Sequence, residues 1–361
     1  MRKTLVYLII LAILGYGIWF FLIRTSSSPY SKAEAGFTIK DTASIGKLYL
    51  VANDGESILA ERTDSGWMVN KKYRALPATL NTLLTTLYQQ APLYPVTKNA
   101  YDNVIKNLST DGIKVEVYDR AGKKMAVFYV GGTAINSTGT NMLMEGSSRP
   151  FVVQVQGFNG YLTPRYSTKL KDWRDRTIFN VPASDIKSVS VQYVDKPINS
   201  FVISKDKDSV TVTVNEQYAK YAKVLNSRRA HIYLKYFTDI NSEGFLNGVD
   251  HMDSIIIHSH KHSTIDVEDI HGQTSHLDVY WLDINKRSKN LDVPNPDVPN
   301  QYDGDRLIAI LQNTHDTILI QQLTFKNIYH KGFEFYEGDL TPDQLQPLDK
   351  PQKNVIYHKK G

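Results

Sequence analysis

The chain has 361 residues, and its 42 lysines and arginines against 37 aspartates and glutamates give a formal net charge of only +5. The basic residues are spread along the chain, which argues against a nucleic-acid-binding protein, since such proteins usually concentrate them on one face. The absence of cysteine excludes disulfides, thiol catalysis, iron–sulfur clusters and cysteine-ligated zinc. A eukaryotic secreted domain of this size would often carry disulfides, so the composition favours a bacterial envelope protein.

An uncharged apolar stretch, Leu5–Ile23, lies near the start of the chain. Its length matches the roughly 20 helical residues that cross a bilayer core of about 30 Å. Arg2 and Lys3 precede it and Arg24 follows it, so the positive-inside rule predicts a cytoplasmic N-terminus. The apolar run is too long for an ordinary cleavable signal peptide. We therefore predict an uncleaved signal anchor that contacts the lipid bilayer, and a single-pass bacterial inner-membrane protein with a periplasmic C-terminal ectodomain.

Short strands and one helix are predicted in the first half of the remaining chain. Asp54-Gly55 between two apolar runs indicates a hairpin. Strict alternation over Ile113–Tyr118 indicates a half-buried strand. Pro77 is suited to the first position of a helix, and the residues after it follow the spacing of one apolar helical face. Those apolar positions are Leu80, Leu83, Leu84, Leu87 and Tyr88.

From Asp185 onward, the predicted strands and helix follow the same order as in the first half of the chain after the anchor. Three strands precede a helix predicted to begin after Asn215, and IDVEDIHGQTSHLDVYWL (265–282) echoes IKVEVYDRAGKKMAVFYV (113–130). We interpret this pattern as an internal duplication. The predicted fold class is α+β: one N-terminal transmembrane helix, then a β-rich ectodomain of two similar repeats, each of antiparallel strands and hairpins with one packed helix. The predicted divisions are the anchor (1–24), a linker (25–36), the first repeat (37–180), the second repeat (181–336) and a C-terminal tail (337–361).

Three histidines resemble a metal site at first sight. His258, His260 and His262 alternate, so in a strand they would point to one face, and a His-x-His pair can bind zinc. Along a strand, however, three such ligands spread over about 13 Å at roughly 3.3 Å per residue, which is too far for one ion. We predict no metal site and no cofactor, and whether two of these histidines ever share an ion stays open.

Arginine and aromatic residues interleave at the junction of the two predicted repeats. Such surfaces bind carboxylates, phosphates or sugars through bidentate arginine contacts and aromatic stacking. The alternative is a clasp between the repeats, in which the arginines pair with nearby carboxylates and bury their long stems. The candidate partner- or ligand-binding residues are Arg165, Tyr166, Trp173, Arg174 and Arg176.

No catalytic motif is present in the sequence. The nucleophile elbow Gly-x-Ser-x-Gly is absent, as are the phosphate-binding patterns GxxxxGK[ST] and GxGxxG. No pair of carboxylates is singled out by its spacing. We therefore predict that the protein is not an enzyme, with no catalytic residues.

Several stretches together resemble a known family. These are GWMVNKKYRA (66–75) before the leucine-faced helix, then IKVEVYD, YVGG, GYLTPRY and DWRDR. The chain resembles an uncharacterised family of envelope proteins from Bacteroidetes-type bacteria, related to auxiliary components of gliding-motility-type ABC transporters. The similarity covers most of residues 37–330 and is strongest at 66–75 and 157–180. The resemblance implies a module that works inside a membrane complex, and it supplies no catalytic residues.

Three functional hypotheses follow from these observations. The first is a membrane-anchored periplasmic interaction or scaffold module with protein partners in a cell-envelope or transporter-associated complex. The alternative is a binding module for anionic glycans or lipid head groups that uses the aromatic and basic residues of the junction. A metal-dependent hydrolase centred on the three histidines is the weakest of the three.

Overall fold

The structure is a computed structural model that describes residues 12–16, 30–135, 138–219, 222, 224–290 and 298–337. It divides into two compact units, Met1–Asp175 (unit 1) and Arg176–Gly361 (unit 2). Each unit has its own hydrophobic core of buried apolar residues. The boundaries of the two repeats, inferred from the sequence, stay predictions.

The predicted transmembrane helix is not found. No helix within the described residues is long and apolar enough to cross a membrane. Of the proposed span Leu5–Ile23, only residues 12–16 are described, as a helix, and the rest lies outside the described residues. This finding corrects the predicted fold class and the predicted single-pass inner-membrane location: the chain is a β-rich protein with large antiparallel sheets and few helices.

Unit 1 is built on one large antiparallel sheet. Its strands are β1 Ile45–Ala52, β2 Ser57–Thr63, β3 Gly66–Val69, β4 Tyr73–Arg74, β5 Gln90–Pro95, β6 Ile113–Asp119, β7 Lys124–Thr133, β8 Thr140–Met144 and β9 Phe151–Val155. They pair in the order β4-β3-β2-β1-β6-β7-β8-β9-β5. The hairpin predicted at Asp54-Gly55 joins β1 to β2, and Gly55 takes a φ of +90° that favours glycine.

The helices of unit 1 are α1 Lys32–Ala35, α2 Pro77–Gln89, α3 Lys98–Thr110 and α4 Leu170–Trp173, with short 3₁₀ turns at Thr42–Ser44 and Thr163–Tyr166. The predicted start of α2 at Pro77 is confirmed, and Leu80, Leu83 and Leu87 are buried as the spacing indicates. The sequence prediction of one packed helix misses α3, which buries only Val104 and Leu108.

Unit 2 has a second large antiparallel sheet and one small sheet. Its strands are β10 Thr177–Phe179, β11 Ile186–Tyr193, β12 Phe201–Asp206, β13 Ser209–Val214, β14 Ile240–Asn241, β15 Gly244–Phe245, β16 Lys261–Asp269, β17 Thr274–Asp283, β18 Tyr302–Leu311 and β19 Asp316–Gln321. The large sheet has the order β13-β12-β11-β16-β17-β18-β19-β15, and β10 pairs with β14. Apart from β4, each strand of the first sheet therefore has a counterpart at the same place in the second.

The helices of unit 2 are short: α5 Glu216–Ala219, α6 Ser227–Leu234, α7 Met252–His258 and α8 Gln322–Phe325, with 3₁₀ turns at Pro197–Asn199, Lys235–Phe237, Ser288–Asn290 and Gly332–Phe335. The helix predicted after Asn215 is described over Glu216–Ala219 as α5. The three alternating histidines do not lie in one strand: His258 ends α7, and of the three only His262 lies in β16, which begins at Lys261.

Candidate functional site

A cleft of about 800 Å³ opens in unit 2 at one end of the large sheet. We call it the aromatic cleft, because four rings and an imidazole line it or stand directly behind its wall. These residues come from distant parts of the chain, and the sheet order brings β11, β16, β17 and β18 side by side at this end. The rings are Tyr193, His262, Trp281, Tyr302 and Tyr329.

The rings pack against one another in a defined way. Trp281 and Tyr302 stack with their centroids 5.0 Å apart and their planes within 6°. His262 meets the Trp281 ring edge-on at 4.5 Å and the Tyr329 ring at 4.7 Å. Aromatic pairs of this kind stabilise by roughly 0.5–1.5 kcal/mol beyond the area they bury. The wall is therefore a preformed apolar surface.

Burial controls the protonation of the imidazole in this wall. Burial lowers the pKa of His262 to about 4, and the nearby Asp195 carboxylate opposes that shift only in part. The Nδ1 atom of His262 lies 2.8 Å from the Ser263 hydroxyl. At neutral pH this histidine is therefore uncharged and belongs to the apolar wall rather than to the cations of the cleft.

Tyrosine hydroxyls add polar groups to the wall. The Tyr193 hydroxyl donates to the backbone oxygen of His330 at 2.7 Å. Burial raises the pKa of Tyr329, whose hydroxyl lies beside Ser263 without a well-aligned hydrogen bond in the described part of the chain. Both phenols are therefore neutral at physiological pH.

Each carboxylate of the cleft already has a partner. Asp195 accepts hydrogen bonds from the Trp281 indole at 3.2 Å and from His260 at 2.5 Å. Asp305 pairs with the Arg287 guanidinium at 3.1 Å. Glu334 lies 2.6 Å from the His330 imidazole. Arg287 is a permanent cation, whereas the two imidazoles compensate the charge of Asp195 and Glu334 only when they are protonated.

The lysines of the cleft, unlike its carboxylates, have no ion-pair partner among the described residues. Lys196, Lys326 and Lys331 line the cleft, and none of their ammonium groups lies within 4.0 Å of a carboxylate oxygen of the residues described here. Lys196 and Lys326 are exposed. No ion pair among the described residues holds these three ammonium groups, so they can approach an anionic ligand.

Apolar residues stand at the mouth of the cleft. Val298 and Pro299 line one part of it and Leu323 another. The Leu323 side chain is 76% exposed although it sits beside a cavity. Ligand sites commonly combine such apolar lining with a few placed polar groups. The arrangement suits a ligand that has both an apolar face and negative charge.

The cleft carries no evident catalytic machinery. A general acid needs a raised carboxyl pKa, but the pKa of Glu334 is lowered: burial acts against ionisation, and the hydrogen bonds from His330 and the Lys331 amide outweigh it. No group of three or more metal-ligating side chains occurs among the described residues.

Two of the predicted junction residues lie in the core of unit 1. Tyr166 and Trp173 are fully buried. The Tyr166 hydroxyl donates to the Gln90 side chain, and the Trp173 indole donates to the Ser167 backbone oxygen at 2.7 Å. Neither ring is presented to solvent, and their role in binding stays a prediction.

The three arginines of the junction make contacts inside their own units. Arg165 lies 4.1 Å from the Phe158 ring and donates to Thr86. Arg174 is nearly buried and lies 3.9 Å from the Tyr73 ring. Arg176 donates to the Glu243 backbone oxygen at 2.8 Å. Their part in partner or ligand binding also stays a prediction.

The three alternating histidines are not brought to one face. His258 ends α7 and lies 2.7 Å from the Ser254 backbone oxygen. His260 bonds Asp195, and His262 lies among the aromatic rings. His260 and His262 therefore lie beside and within the aromatic cleft, and whether two of the three histidines ever share an ion stays open.

Sequence reasoning did not find the aromatic cleft, because its residues are scattered between Tyr193 and Glu334. The available signal was the position of aromatic residues at strand ends: Tyr193 ends β11, Trp281 lies near the end of β17 and Tyr302 begins β18. Without the strand order, nothing in the sequence places these ends together.

A family model described as "Domain of unknown function (DUF4340)" matches residues 105–255. Searches of curated proteins and of solved structures gave no match. Over that stretch, the chain is similar to an uncharacterised domain family.

Proposed function

We propose that the chain is a non-catalytic binding module that holds an anionic glycan in the aromatic cleft of unit 2. The observation that carries this proposal is the presence of three lysines in the lining of the cleft. Lys196, Lys326 and Lys331 line it without an ion-pair partner among the described residues. Of the carboxylates, Asp305 pairs with Arg287, and Asp195 and Glu334 contact histidines. An unpaired ammonium at a cleft wall attracts a carboxylate or sulfate of a ligand.

The aromatic wall supports a glycan over a small inorganic anion. The apolar faces of sugar rings pack on aromatic side chains, while their substituents reach hydrogen-bonding groups such as Gln322 and Asn199, which also line the cleft. A volume of about 800 Å³ falls in the range of sites for drug-sized molecules, roughly 300–1,000 Å³. A phosphate or sulfate ion alone would leave most of this wall uncovered.

A binding experiment tests the proposal. Isothermal titration calorimetry compares a galacturonate oligosaccharide, which is carboxylated, with a neutral maltooligosaccharide of the same length. Binding of the charged oligosaccharide alone is expected, with an affinity that falls as salt rises because the lysines are exposed. Lys326→Gln with Lys331→Gln should weaken binding at least about 10-fold, which corresponds to roughly 1.4 kcal/mol.

A control variant tests whether the loss of a lysine away from the cleft also weakens binding. Lys187→Gln removes an exposed lysine of β11 that pairs with Glu268 at 2.7 Å, at the end of the strand far from the cleft. It should leave affinity unchanged. Equal binding of the neutral oligosaccharide, or equal loss in both variants, would contradict the proposal. Retention on anionic lipid vesicles without oligosaccharide binding would support lipid head groups instead.

The second candidate is an interaction or scaffold role in a cell-envelope or transporter-associated complex. It is supported by the resemblance to envelope proteins of Bacteroidetes-type bacteria that are related to gliding-motility-type ABC-transporter auxiliary components. The specific structural observation in its favour is the edge of β13 in unit 2, beyond which no further strand occurs in the described residues. The partners expected from this reading are proteins of the same complex.

A further inference from the structure

We propose that the outer edge of β13 is a docking site for an extended, β-branched peptide segment with basic flanks, which adds to the sheet as a further strand. This site is separate from the aromatic cleft and does not depend on the proposed glycan. In strand addition, main-chain hydrogen bonds give affinity, and the flanking side chains give specificity.

The four edges of the two large sheets are not alike. β4, Tyr73–Arg74, and β15, Gly244–Phe245, are each two residues long. β5 carries Pro92 and Pro95. Very short strands and prolines are the usual ways in which proteins protect sheet edges from pairing with other chains. Three of the four edges are therefore protected in this way.

β13 has none of these protections. It is six residues long with the sequence Ser-Val-Thr-Val-Thr-Val, so it has no proline, no glycine and no charged residue. Val210 and Val212 are buried, while Ser209, Thr211 and Thr213 are exposed. Such a β-branched, regularly alternating edge is the type that accepts a further strand.

The corresponding strand of unit 1 already has such a neighbour. β3 occupies the same place in its sheet as β13, and β4 pairs with its outer edge through Met68↔Arg74 and Val69↔Tyr73. In the described part of unit 2, no strand continues the sheet beyond β13. An incoming strand would take the place that β4 takes in unit 1.

The charges beside β13 specify the occupant. Asp206, Lys207 and Asp208 form the exposed turn that precedes the strand, and the exposed Glu216 follows it. Three acidic groups against one basic group favour a segment with lysine or arginine at its ends. A second copy of this chain fits poorly, because antiparallel pairing about Val212 places Asp208 beside Glu216 of that copy, and like charges directly opposite are destabilising.

Other described segments of unit 2 lie against this strand, namely α5, α6 and the 3₁₀ turn Gly332–Phe335. The residue after that turn bonds a main-chain oxygen of β13. The Tyr336 hydroxyl donates to the Val212 backbone oxygen at 2.5 Å. A carbonyl oxygen has two lone pairs, so the oxygen can keep this bond or exchange it for a main-chain amide of the incoming strand. Tyr336→Phe should therefore leave peptide binding intact or strengthen it.

The test uses three labelled synthetic peptides and the full chain, with binding followed by fluorescence anisotropy. The basic peptide is KKVTVTVKK, the acidic one is EEVTVTVEE, and KKVTPTVKK carries a proline that prevents continuous strand pairing. The basic peptide should bind at least about 10-fold tighter than the other two. Its binding should also protect the amides of residues 209–214 from hydrogen exchange.

Charge reversal supplies the decisive variant. Asp208→Lys with Glu216→Lys should reverse the preference towards the acidic peptide, and both positions are exposed, so folding should be unaffected. Glu56→Lys with Asp64→Lys, two exposed positions of unit 1, makes the same change in net charge and should leave the preference as it was. Equal binding of the proline peptide, no reversal of preference, or a dimer of the chain that Val212→Pro dissociates would each overturn the proposal.

Discussion

The indole N–H of Trp281 donates a 3.2 Å hydrogen bond to Asp195, the same carboxylate that bonds His260 at 2.5 Å. Trp281 lies in β17 and Asp195 just after β11. This carboxylate therefore fixes the orientation of the largest ring in the wall of the aromatic cleft, and it joins the loop after β11 to the segment that leads into β16.

Asp195→Ala removes both hydrogen bonds. Because the Asp195 side chain is 45% exposed, we expect a loss of only about 1 kcal/mol in the free energy of unfolding. Urea unfolding followed by tryptophan fluorescence measures it. Asp239→Ala is the matched control, since this exposed carboxylate of unit 2 bonds only the neighbouring Asn241 in the described contacts. Equal losses in the two variants would show that Asp195 does not organise the wall.

The buried imidazole of His262 should make stability depend on pH. Its folded pKa is lowered by burial to about 4, against an ordinary value of 6.5. The unfolded chain therefore binds more protons than the folded chain between these values. Its contribution to stability is complete above about pH 6.5 and is lost as the pH falls towards 4, by up to roughly 3 kcal/mol.

Equilibrium unfolding between pH 4 and 7 checks this expectation. His262→Gln should flatten the decline in stability over that window, because glutamine does not titrate. His271→Gln, at an exposed histidine of the β16–β17 turn, should keep the decline of the unaltered chain. If the free energy of unfolding of the His262 variant fell with pH as steeply as that of the unaltered chain, another group would be responsible.

Local signals in the sequence predicted local structure well. The leucine spacing after Pro77 gave α2, because the apolar face of this helix packs on the core of unit 1. α3 was missed because only two of its residues, Val104 and Leu108, are buried, and most of its other residues are polar. Alternation of His258, His260 and His262 suggested a strand, whereas the consecutive isoleucines before them belong to α7.

The aromatic cleft and the β13 edge could not be predicted from the sequence. Both depend on which strands are neighbours in the sheet, and antiparallel order is not encoded by the alternation of a single strand. Tyr166 and Trp173 look like ligand-binding aromatics in the sequence, because a sequence does not distinguish a buried ring with a satisfied hydrogen bond from an exposed one. The charge state of His262 likewise follows from its packing and not from its neighbours in the chain.

Tyr166→Phe separates the aromatic cleft from the junction residues predicted by sequence. Loss of the hydroxyl leaves the buried Gln90 side-chain oxygen without its donor, so the free energy of unfolding should fall by about 1–3 kcal/mol. Affinity for the galacturonate oligosaccharide should not change, because the cleft lies in unit 2. Weaker binding by a folded Tyr166→Phe or Arg165→Gln variant would instead favour the junction as the ligand site.

Gly112 joins α3 to β6 and should tolerate no side chain. A Cβ atom at this position would lie 2.0 Å from the backbone oxygen of Leu108, in the last turn of α3, where no side-chain rotation can relieve the overlap. Gly112→Ala should therefore lower the free energy of unfolding by roughly 2–3 kcal/mol, measured by thermal or urea unfolding. Gly244→Ala is the control: a Cβ there meets nothing within 4 Å, and the change should stay within about 0.5 kcal/mol. Equal stability of the two variants would mean that α3 can move away from β6 at little cost, and that the close approach of Leu108 is not a constraint on unit 1.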